Sequence, residues 1–315
     1  MRVKLWIALL GTLPLLAVGS SATAGTQAAR HNGLIAARGA HAIYLIDTQL
    51  LSTRPIPGTA DMSAPAWSPD GSLLAVESAD KVGTSVYTIK PDGSDRRLVL
   101  RNASSPSWSP DGKQLAVVRD GCAAPYHCDS DSMASTILAT VRVDGSDARQ
   151  LTNYFYESDI GASEPTWSPA GNWIAFVADD GSVHLVSPNG EHDGIRWVAG
   201  NGSNLAWSPD GSKLAFDVLG ENQDASTAIV DVTTGRRTSP PPSRPSDSGL
   251  AWSPDGNQIA FLSSPSSTTM RGCGGDMEMD LWAMGADGSK PHRLSKGAYS
   301  HFAWGTFQPA PQPSD

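Results

Sequence analysis

Short apolar runs broken by turn-forming residues recur along the chain from residue 32 onward. Five of them read LLAV, QLAVV, WIAFV, KLAFDV and QIAFL, and they begin at Leu73, Gln114, Trp173, Lys213 and Gln258. Apolar runs this short, bounded by Pro, Asp and Gly, are typical of buried β-strands and are too short for ordinary helices. The pattern therefore predicts an all-β chain built from many short strands.

A nearly identical turn motif precedes each of these runs. It reads WSPDG four times and WSPAG once, with Ala170 in place of the aspartate, and a sixth tryptophan lacks the turn residues. The repeat positions are Trp67, Asp70, Trp108, Asp111, Trp167, Trp207, Asp210, Trp252, Asp255 and Trp304. Pro presets φ, Asp accepts hydrogen bonds from the following N–H groups, and Gly adopts positive φ. We therefore interpret the aspartates as turn residues and the tryptophans as packing surfaces between repeats, rather than as a catalytic or ligand-stacking ring.

A second turn signature lies between successive tryptophans. It reads PDGS at Pro91, VDGS at Val143, PNGE at Pro188, TTGR at Thr233 and ADGS at Ala286. Each repeat then contains four strands joined by two tight turns and one loop. Successive tryptophans are 41, 59, 40, 45 and 52 residues apart. This is the size of one four-stranded propeller blade.

The two ends of the chain supply one more blade. Residues 32–47 look like the later strands of a blade without its Trp strand, and the region around Trp304 looks like a Trp strand without the rest. Pairing the two would close a ring of five complete blades and one composite blade, and closure removes exposed sheet edges. The sequence thus predicts a six-bladed β-propeller.

These repeats resemble the WD40-like repeats of the TolB-like propeller family, over residues 32–307. The resemblance implies a six-bladed fold of four-stranded antiparallel blades. TolB proteins carry an additional N-terminal α/β domain, and peptidases with such propellers carry a hydrolase domain. We expect neither here, because the repeats occupy almost the whole chain. The expected organisation is a signal peptide over residues 1–24, a propeller over 25–308 and a Pro-rich tail over 309–315.

The N-terminus has the features of an export signal. Arg2 and Lys4 precede an apolar stretch over residues 5–18, and Ala22-Thr23-Ala24 fits the small-x-small cleavage rule. Fourteen apolar residues are too few to span a membrane comfortably, although an uncleaved anchor is the alternative. We expect cleavage after Ala24, a secreted or periplasmic location, and no membrane insertion of the mature chain.

Charge and motif content narrow the function. The 315-residue chain has a net charge of −9, and removal of Arg2 and Lys4 would make it −11. Nucleic-acid binding normally needs a basic face, so we expect no nucleic-acid partner. The sequence contains no GxSxG, HExxH or phosphate-binding glycine motif. We therefore favour a non-catalytic protein without a cofactor.

Two loops between the second and third strands of their blades are longer than the others, and they contain all three cysteines. After export, Cys122 and Cys128 could form a disulfide, and pairing of either with Cys273 is an alternative. A metal site formed by Cys122, His127, Cys128 and Cys273 is a further alternative, because these are soft ligands suited to copper(I) or zinc.

Aromatic and acidic residues cluster in loops that should share one face of the ring. The candidate partner-binding residues are Tyr126, His127, Tyr154, Phe155, Tyr156, Glu157, Tyr299 and His301. Such residues suit recognition of a protein, peptide or glycan, although some of them could simply pack the loops together.

Three functional hypotheses follow. The preferred one is an exported, monomeric, non-catalytic propeller that binds a protein, peptide or glycan partner on its loop-rich face. The second is a carbohydrate-active lyase or hydrolase that uses acids such as Glu157, Asp159 or Asp276. The third is a propeller that binds a metal through the Cys, His and Met residues of the two long loops.

Overall fold

A computed structural model describes residues 31–79, 83–120, 136–152, 161–189, 196–219, 225–238, 247–264 and 279–307. This part of the chain contains 24 β-strands and no helix. The strands are β1 His31–Arg38, β2 Ile43–Asp47, β3 Ser52–Pro55, β4 Met62–Trp67, β5 Leu74–Ala79, β6 Thr84–Ile89, β7 Arg97–Arg101, β8 Ala103–Trp108, β9 Gln114–Asp120, β10 Thr136–Arg142, β11 Arg149–Gln150, β12 Ala162–Trp167, β13 Ile174–Ala178, β14 Val183–Val186, β15 Arg196–Ala199, β16 Gly202–Trp207, β17 Lys213–Leu219, β18 Ala225–Asp231, β19 Arg237–Thr238, β20 Ser248–Trp252, β21 Gln258–Ser263, β22 Asp280–Gly285, β23 His292–Ser295 and β24 Ser300–Phe307.

These strands form six antiparallel four-stranded sheets, and the sheets are the blades of a propeller. Blade 1 has the strand order β24-β1-β2-β3, and blades 2 to 6 follow in chain order from β4 to β23. The first strand of each blade contacts the first strand of the next, and the ring closes through β20, β24 and β4. The predicted six-bladed fold is confirmed, including the composite blade, in which Ile35 pairs with Trp304.

The WSPDG turns form because their side chains satisfy the turn's own backbone. Asp210 Oδ1 accepts hydrogen bonds from Ser208 Oγ at 2.6 Å and from the Ser212 N–H at 3.0 Å. The turns of Asp70, Asp111 and Asp255 have the same arrangement. In the blade with Ala170 the hydroxyl of Ser168 instead lies 3.0 Å from Asn172 Oδ1. A polar partner two residues further along therefore replaces the missing carboxylate.

The core lies between neighbouring blades, and the repeated tryptophans form much of it. Trp108 packs with Ala75 and Val86 of the preceding blade. Its indole N–H also donates to the carbonyl of Ala66 in that blade, at 3.0 Å. Trp207 has the equivalent hydrogen bond, so the indole both fills the seam and fastens it.

Each inner strand carries the same irregularity near its start. The pairing of β4 with β5 shifts between Ser63 and Ala66, and Ala64 has a φ of +44°. The same shift with a positive φ occurs in the next four blades at Ser105, Glu164, Asn204 and Gly249. In β24 the pairing skips His301. These irregularities all lie at one end of the channel that runs through the centre of the ring, and we call it the bulge end. The opposite end carries the WSPDG turns, and we call it the turn end.

The outermost strand of every blade carries an arginine. These residues are Arg54, Arg97, Arg149, Arg196, Arg237 and Arg293. An edge strand is a template for pairing with other chains, and charged side chains oppose such pairing. The arginines therefore place a positive charge on the edge strand of every blade, where it opposes pairing with another strand.

Candidate functional site at the bulge end of the channel

A channel runs through the centre of the ring and holds a cavity of about 1390 Å³. Residues from all six inner strands line it. Toward the turn end the lining consists of the repeated tryptophans and the prolines of the turns. Toward the bulge end the lining gains the polar residues Glu77, Ser105, Glu164, Asn204 and His301, which lie among apolar ones such as Leu262, Met279 and Phe302. The two ends of the channel therefore offer different chemistry.

A serine stands directly before every bulge. The six serines, each four residues before a repeat tryptophan, are Ser63, Ser104, Ser163, Ser203, Ser248 and Ser300. The sequence interpretation missed this ring of hydroxyls, although the constant spacing from the tryptophan would have found it. Two of the six, Ser248 and Ser300, line the cavity.

Carboxylates bridge neighbouring blades at this end. A bulge leaves backbone N–H groups outside the regular ladder, and each needs an acceptor. The amide of Ser105 in blade 3 donates to Glu77 of blade 2, and the amide of Asn204 in blade 5 donates to Glu164 of blade 4. These acids hold the inner strands of adjacent blades together.

Asp217 makes the third bridge, and it is the most buried of the three acids, with 4% of its surface exposed. Its Oδ2 accepts a hydrogen bond of 2.9 Å from the amide of Gly249 in blade 6. The same oxygen accepts another, also of 2.9 Å, from Asn204 Nδ2 in its own blade. Glu164, Asn204, Asp217 and Gly249 thus form a continuous hydrogen-bonded chain across blades 4, 5 and 6.

Burial raises the pKa of the Asp217 carboxyl to about 6. The hydrogen bonds from Gly249 and Asn204 oppose this rise, whereas the nearby carboxylates of Glu164 and Asp247 add to it. Asp247 is itself 7% exposed. Asp217, with this raised pKa, therefore lies near the exposed carboxylate of Glu164 at the bulge end of the channel.

Repeat position explains why Asp217 is unusual. The cross-strand partner of the serine is Val118, Val177 or Leu262 in three blades, but Arg38, Glu77 or Asp217 in the other three. A charged residue where other blades have an aliphatic one was a signal present in the sequence, and the sequence interpretation did not use it.

Blade 1 carries different groups at the bulge end. His301 is the bulge residue of β24 and is exposed, and blade 1 lies across the ring from blade 4, which carries Glu164. Arg38 Nη1 donates to the carbonyl of Thr59 at 3.3 Å. The bulge end therefore has carboxylates in blades 2, 4 and 5, and an arginine and a histidine in blade 1.

Two of the residues expected to bind a partner are described by the structure. His301 lies exposed at the bulge end, whereas Tyr299 is 7% exposed. The Tyr299 hydroxyl lies 2.8 Å from Ser295 Oγ, and its ring lies edge-on to Tyr44 with centroids 6.3 Å apart. Tyr299 is therefore packed at the seam between blades 6 and 1, and it also lines the cavity.

The remaining candidates fall outside the described residues. They are Tyr126, His127, Tyr154, Phe155, Tyr156, Glu157, Asp159, Asp276 and the cysteines Cys122, Cys128 and Cys273. The strands that flank their segments end at the bulge end, as the pairing of Asp120 with Thr136 and of Ser263 with Asp280 illustrates. The disulfide and the loop metal site remain predictions. Among the described side chains, no group of three or more His, Cys, Asp or Glu is arranged to hold a metal ion.

Solved structures with the same architecture include two bacterial TolB proteins. TolB from Acinetobacter baumannii aligns with a TM-score of 0.65 and 20% identity, over 86% of this chain and 66% of that one. This chain therefore spans slightly less than two thirds of that TolB. A putative TolB from Agrobacterium tumefaciens aligns with a TM-score of 0.61 and 18% identity, over 84% of this chain and 90% of that one.

An enzyme shares the architecture as well. An oligogalacturonate lyase in complex with manganese aligns with a TM-score of 0.55 and 15% identity, over 81% of this chain and 70% of that one. No protein-family model matches the sequence. Identities at this level establish the fold alone, and that fold is the TolB-like six-bladed β-propeller. No helix long and apolar enough to cross a membrane occurs in the described ranges.

Proposed function

Starting from a six-bladed propeller with the TolB-like fold, we propose that this protein is exported and binds a protein or peptide partner, without catalysis, at the bulge end of its channel. The observation that carries the proposal is the wide cavity of about 1390 Å³, which has charged, polar and apolar residues at its bulge end, in an otherwise packed ring. Small-ligand pockets usually measure about 300–1,000 Å³, so this cavity suits a loop or a short peptide better than a small molecule.

The roles of the mouth carboxylates support binding rather than chemistry. Glu77 and Glu164 each accept a hydrogen bond from the backbone of the next blade. An acid engaged in this way is held by the fold and is a poor candidate for a mobile acid or base. The exposed groups Glu164 and His301 remain available to pair with charged side chains of a partner.

The proposed export rests on the predicted N-terminal signal, with its basic residues, its apolar stretch over residues 5–18 and its cleavage motif. A periplasmic or secreted location would give the protein access to envelope components. A protein or peptide is the favoured partner class, and a glycan is an outcome that the experiment distinguishes.

Capture from a cell-envelope extract tests the proposal with variants that introduce a glutamate at each end of the channel. His301→Glu changes an exposed side chain at the bulge end, and Lys113→Glu changes one at the turn end whose side chain is 80% exposed. We expect His301→Glu to weaken the captured complex about tenfold, as loss of a contact of about 1.4 kcal/mol would. Lys113→Glu should leave it unchanged.

The opposite pattern, or equal loss in both variants, would place the binding surface elsewhere. Recovery of no partner together with turnover of a substrate by the pure protein would contradict the proposal. A glycan array with the same proteins identifies a carbohydrate partner if there is one.

A carbohydrate-active enzyme is the second candidate, because Asp217 and Glu164 are neighbouring carboxyl groups in different environments. Asp217 is buried with a pKa raised to about 6, whereas Glu164 is exposed. Acid–base pairs in glycan-cleaving enzymes differ in this way. A lyase and hydrolase screen on acidic and neutral oligosaccharides tests it. Any activity found should fall sharply in Asp217→Asn, and activity unaffected by that change would remove Asp217 from the reaction.

A further inference from the structure

At the bulge end, the titratable group Asp217 fastens the seam between blades 5 and 6. Asp217 Oδ2 accepts from the Gly249 amide of blade 6 and from Asn204 Nδ2 of blade 5, each at 2.9 Å. Both donors belong to bulges, where a positive φ shows that the chain departs from the regular ladder, at +69° for Gly249 and +54° for Asn204. One carboxylate therefore fixes two irregular backbone segments.

Among the described residues, the two charged groups that act on Asp217 both carry its own sign. Glu164 from β12 accepts from the Asn204 amide, and Asp247 immediately precedes β20. Both carboxylates act electrostatically on Asp217. Its cross-strand neighbours, Ser203 on β16 and Thr227 on β18, are uncharged. Within the described residues, ionised Asp217 therefore has two carboxylates nearby and no cation paired with it.

We propose that the Glu164–Asn204–Asp217–Gly249 chain is a proton-operated latch at the bulge end of the channel. Uptake of one proton by Asp217 removes the repulsion from Glu164 and Asp247, but it weakens the two hydrogen bonds that hold the bulges of blades 5 and 6, because a neutral carboxyl is a weaker acceptor than a carboxylate. Loss of that proton restores three neighbouring negative charges and strengthens both hydrogen bonds, so the ionised form fastens the two bulges. The raised pKa of Asp217, about 6, places the change between mildly acidic and neutral conditions.

The regulatory consequence of the latch rests on the proposed function, because the latch lies within the surface proposed to bind a partner. The latch itself can be measured without any partner. Burial of Asp217 keeps the proton change away from bulk solvent, so it acts on the two bulges that Asp217 holds.

Nuclear magnetic resonance of the isotope-labelled mature chain tests the latch directly. We expect the Gly249 amide and the Asn204 side-chain amide to shift together between pH 4.5 and 8, with one midpoint near 6. Asp217→Asn keeps an oxygen acceptor and should abolish that transition. Glu164→Gln removes one neighbouring negative charge and should lower the midpoint. Asp61→Asn, at an exposed carboxylate of blade 2, is the matched control and should change neither signal.

A Gly249 signal without a transition in this range, or a transition that persists in Asp217→Asn, would overturn the latch. Glu164→Gln keeps the test decisive if Asp217→Asn fails to fold.

The captured partner, where one is found, should bind with an affinity that changes several-fold across the same midpoint in the wild type and not in Asp217→Asn. If Asp217 titrates but the partner binds equally well at every pH, the latch does not regulate binding, and the proposed function still stands. A titrating latch in a protein that captures nothing would count against the proposed function and not against the latch.

Discussion

The indole of Trp67 lies directly on Gly305, so closely that a Cβ atom at position 305 would come within 2.6 Å of Trp67 Cγ. This contact joins blade 2 to the composite blade 1. The equivalent position in the other five blades is the serine that follows the repeat tryptophan, as in Ser68. Blade 1 has no WSPDG turn, and its glycine allows Trp67 to settle against the backbone of β24. The seam beside the ring closure is thus closely packed because Gly305 has no side chain to keep the Trp67 indole away from the backbone.

Gly305→Ser should destabilise the propeller, because the indole of Trp67 must move away from a new side chain in a packed seam. Overpacking of this kind costs about 1–3 kcal/mol. Urea unfolding followed by tryptophan fluorescence measures the change. Gly200→Ser is the matched control, since a Cβ there meets nothing within 4 Å, and it should have little effect. Equal stability of both variants would show that the closure seam is loosely packed.

The blades could be predicted from the sequence because each of them repeats a local rule. A tryptophan, a turn that satisfies its own backbone and a buried strand recur together, so neither tertiary information nor a family model is needed to count them. The composite blade followed because the two chain ends were complementary fragments of that same rule. Pairing of Ile35 with Trp304 confirms it.

The site was harder to predict because it depends on which residues converge across blades. Tyr299 and His301 are two residues apart, yet one is packed in a seam and the other is exposed, since the bulge in β24 changes which way the side chains face. The bridge from Asp217 to Gly249 joins residues 32 apart in the chain. No linear motif records such a contact, although the charged residue in an aliphatic repeat position gave an indirect sign of it.

The turn aspartates should contribute to stability individually, and the blade that lacks one should not need it. Asp210→Ala removes the acceptor for Ser208 Oγ and for the Ser212 amide, which should cost about 1–3 kcal/mol in urea unfolding. The reverse change, Ala170→Asp, should stay within about 0.5 kcal/mol because Asn172 already engages Ser168. A large gain from Ala170→Asp would mean that the asparagine is a poor substitute.

Asp217→Asn should stabilise the folded protein at neutral pH. A pKa raised from 3.8 to about 6 means that the folded chain holds this proton more tightly than the unfolded chain. The associated stability is fully present below pH 3.8 and is lost as the pH rises through about 6, a loss on the order of 3 kcal/mol. The variant carries no such proton. Its advantage over the wild type in urea unfolding should therefore be large at pH 7.5 and vanish by pH 4, and a difference independent of pH would contradict the assignment.

His184 should change the pH dependence of folding stability in the opposite direction from Asp217, so that stability falls as the solution becomes acidic. Burial lowers the pKa of its imidazole below the ordinary value of 6.5, with a smaller opposing effect from the Asp180 carboxylate. The ring stacks on Phe176 with centroids 5.6 Å apart, and its Nε2 lies 2.6 Å from Ser182 Oγ, while Nδ1 is buried without a hydrogen-bond partner. Protonation would place a charge and an unsatisfied donor in this seam.

The stability linked to His184 is thus present above pH 6.5 and is lost as the pH falls through the lowered pKa of the folded state. His184→Gln keeps a polar group beside Ser182 but cannot take up that proton, so it should lose less stability than the wild type between pH 7 and pH 5. Unfolding curves of both proteins at the two pH values measure the difference. His292→Gln, at an exposed histidine of β23, is the control and should follow the wild type. A parallel decline of His184→Gln and the wild type would show that the acid sensitivity arises elsewhere.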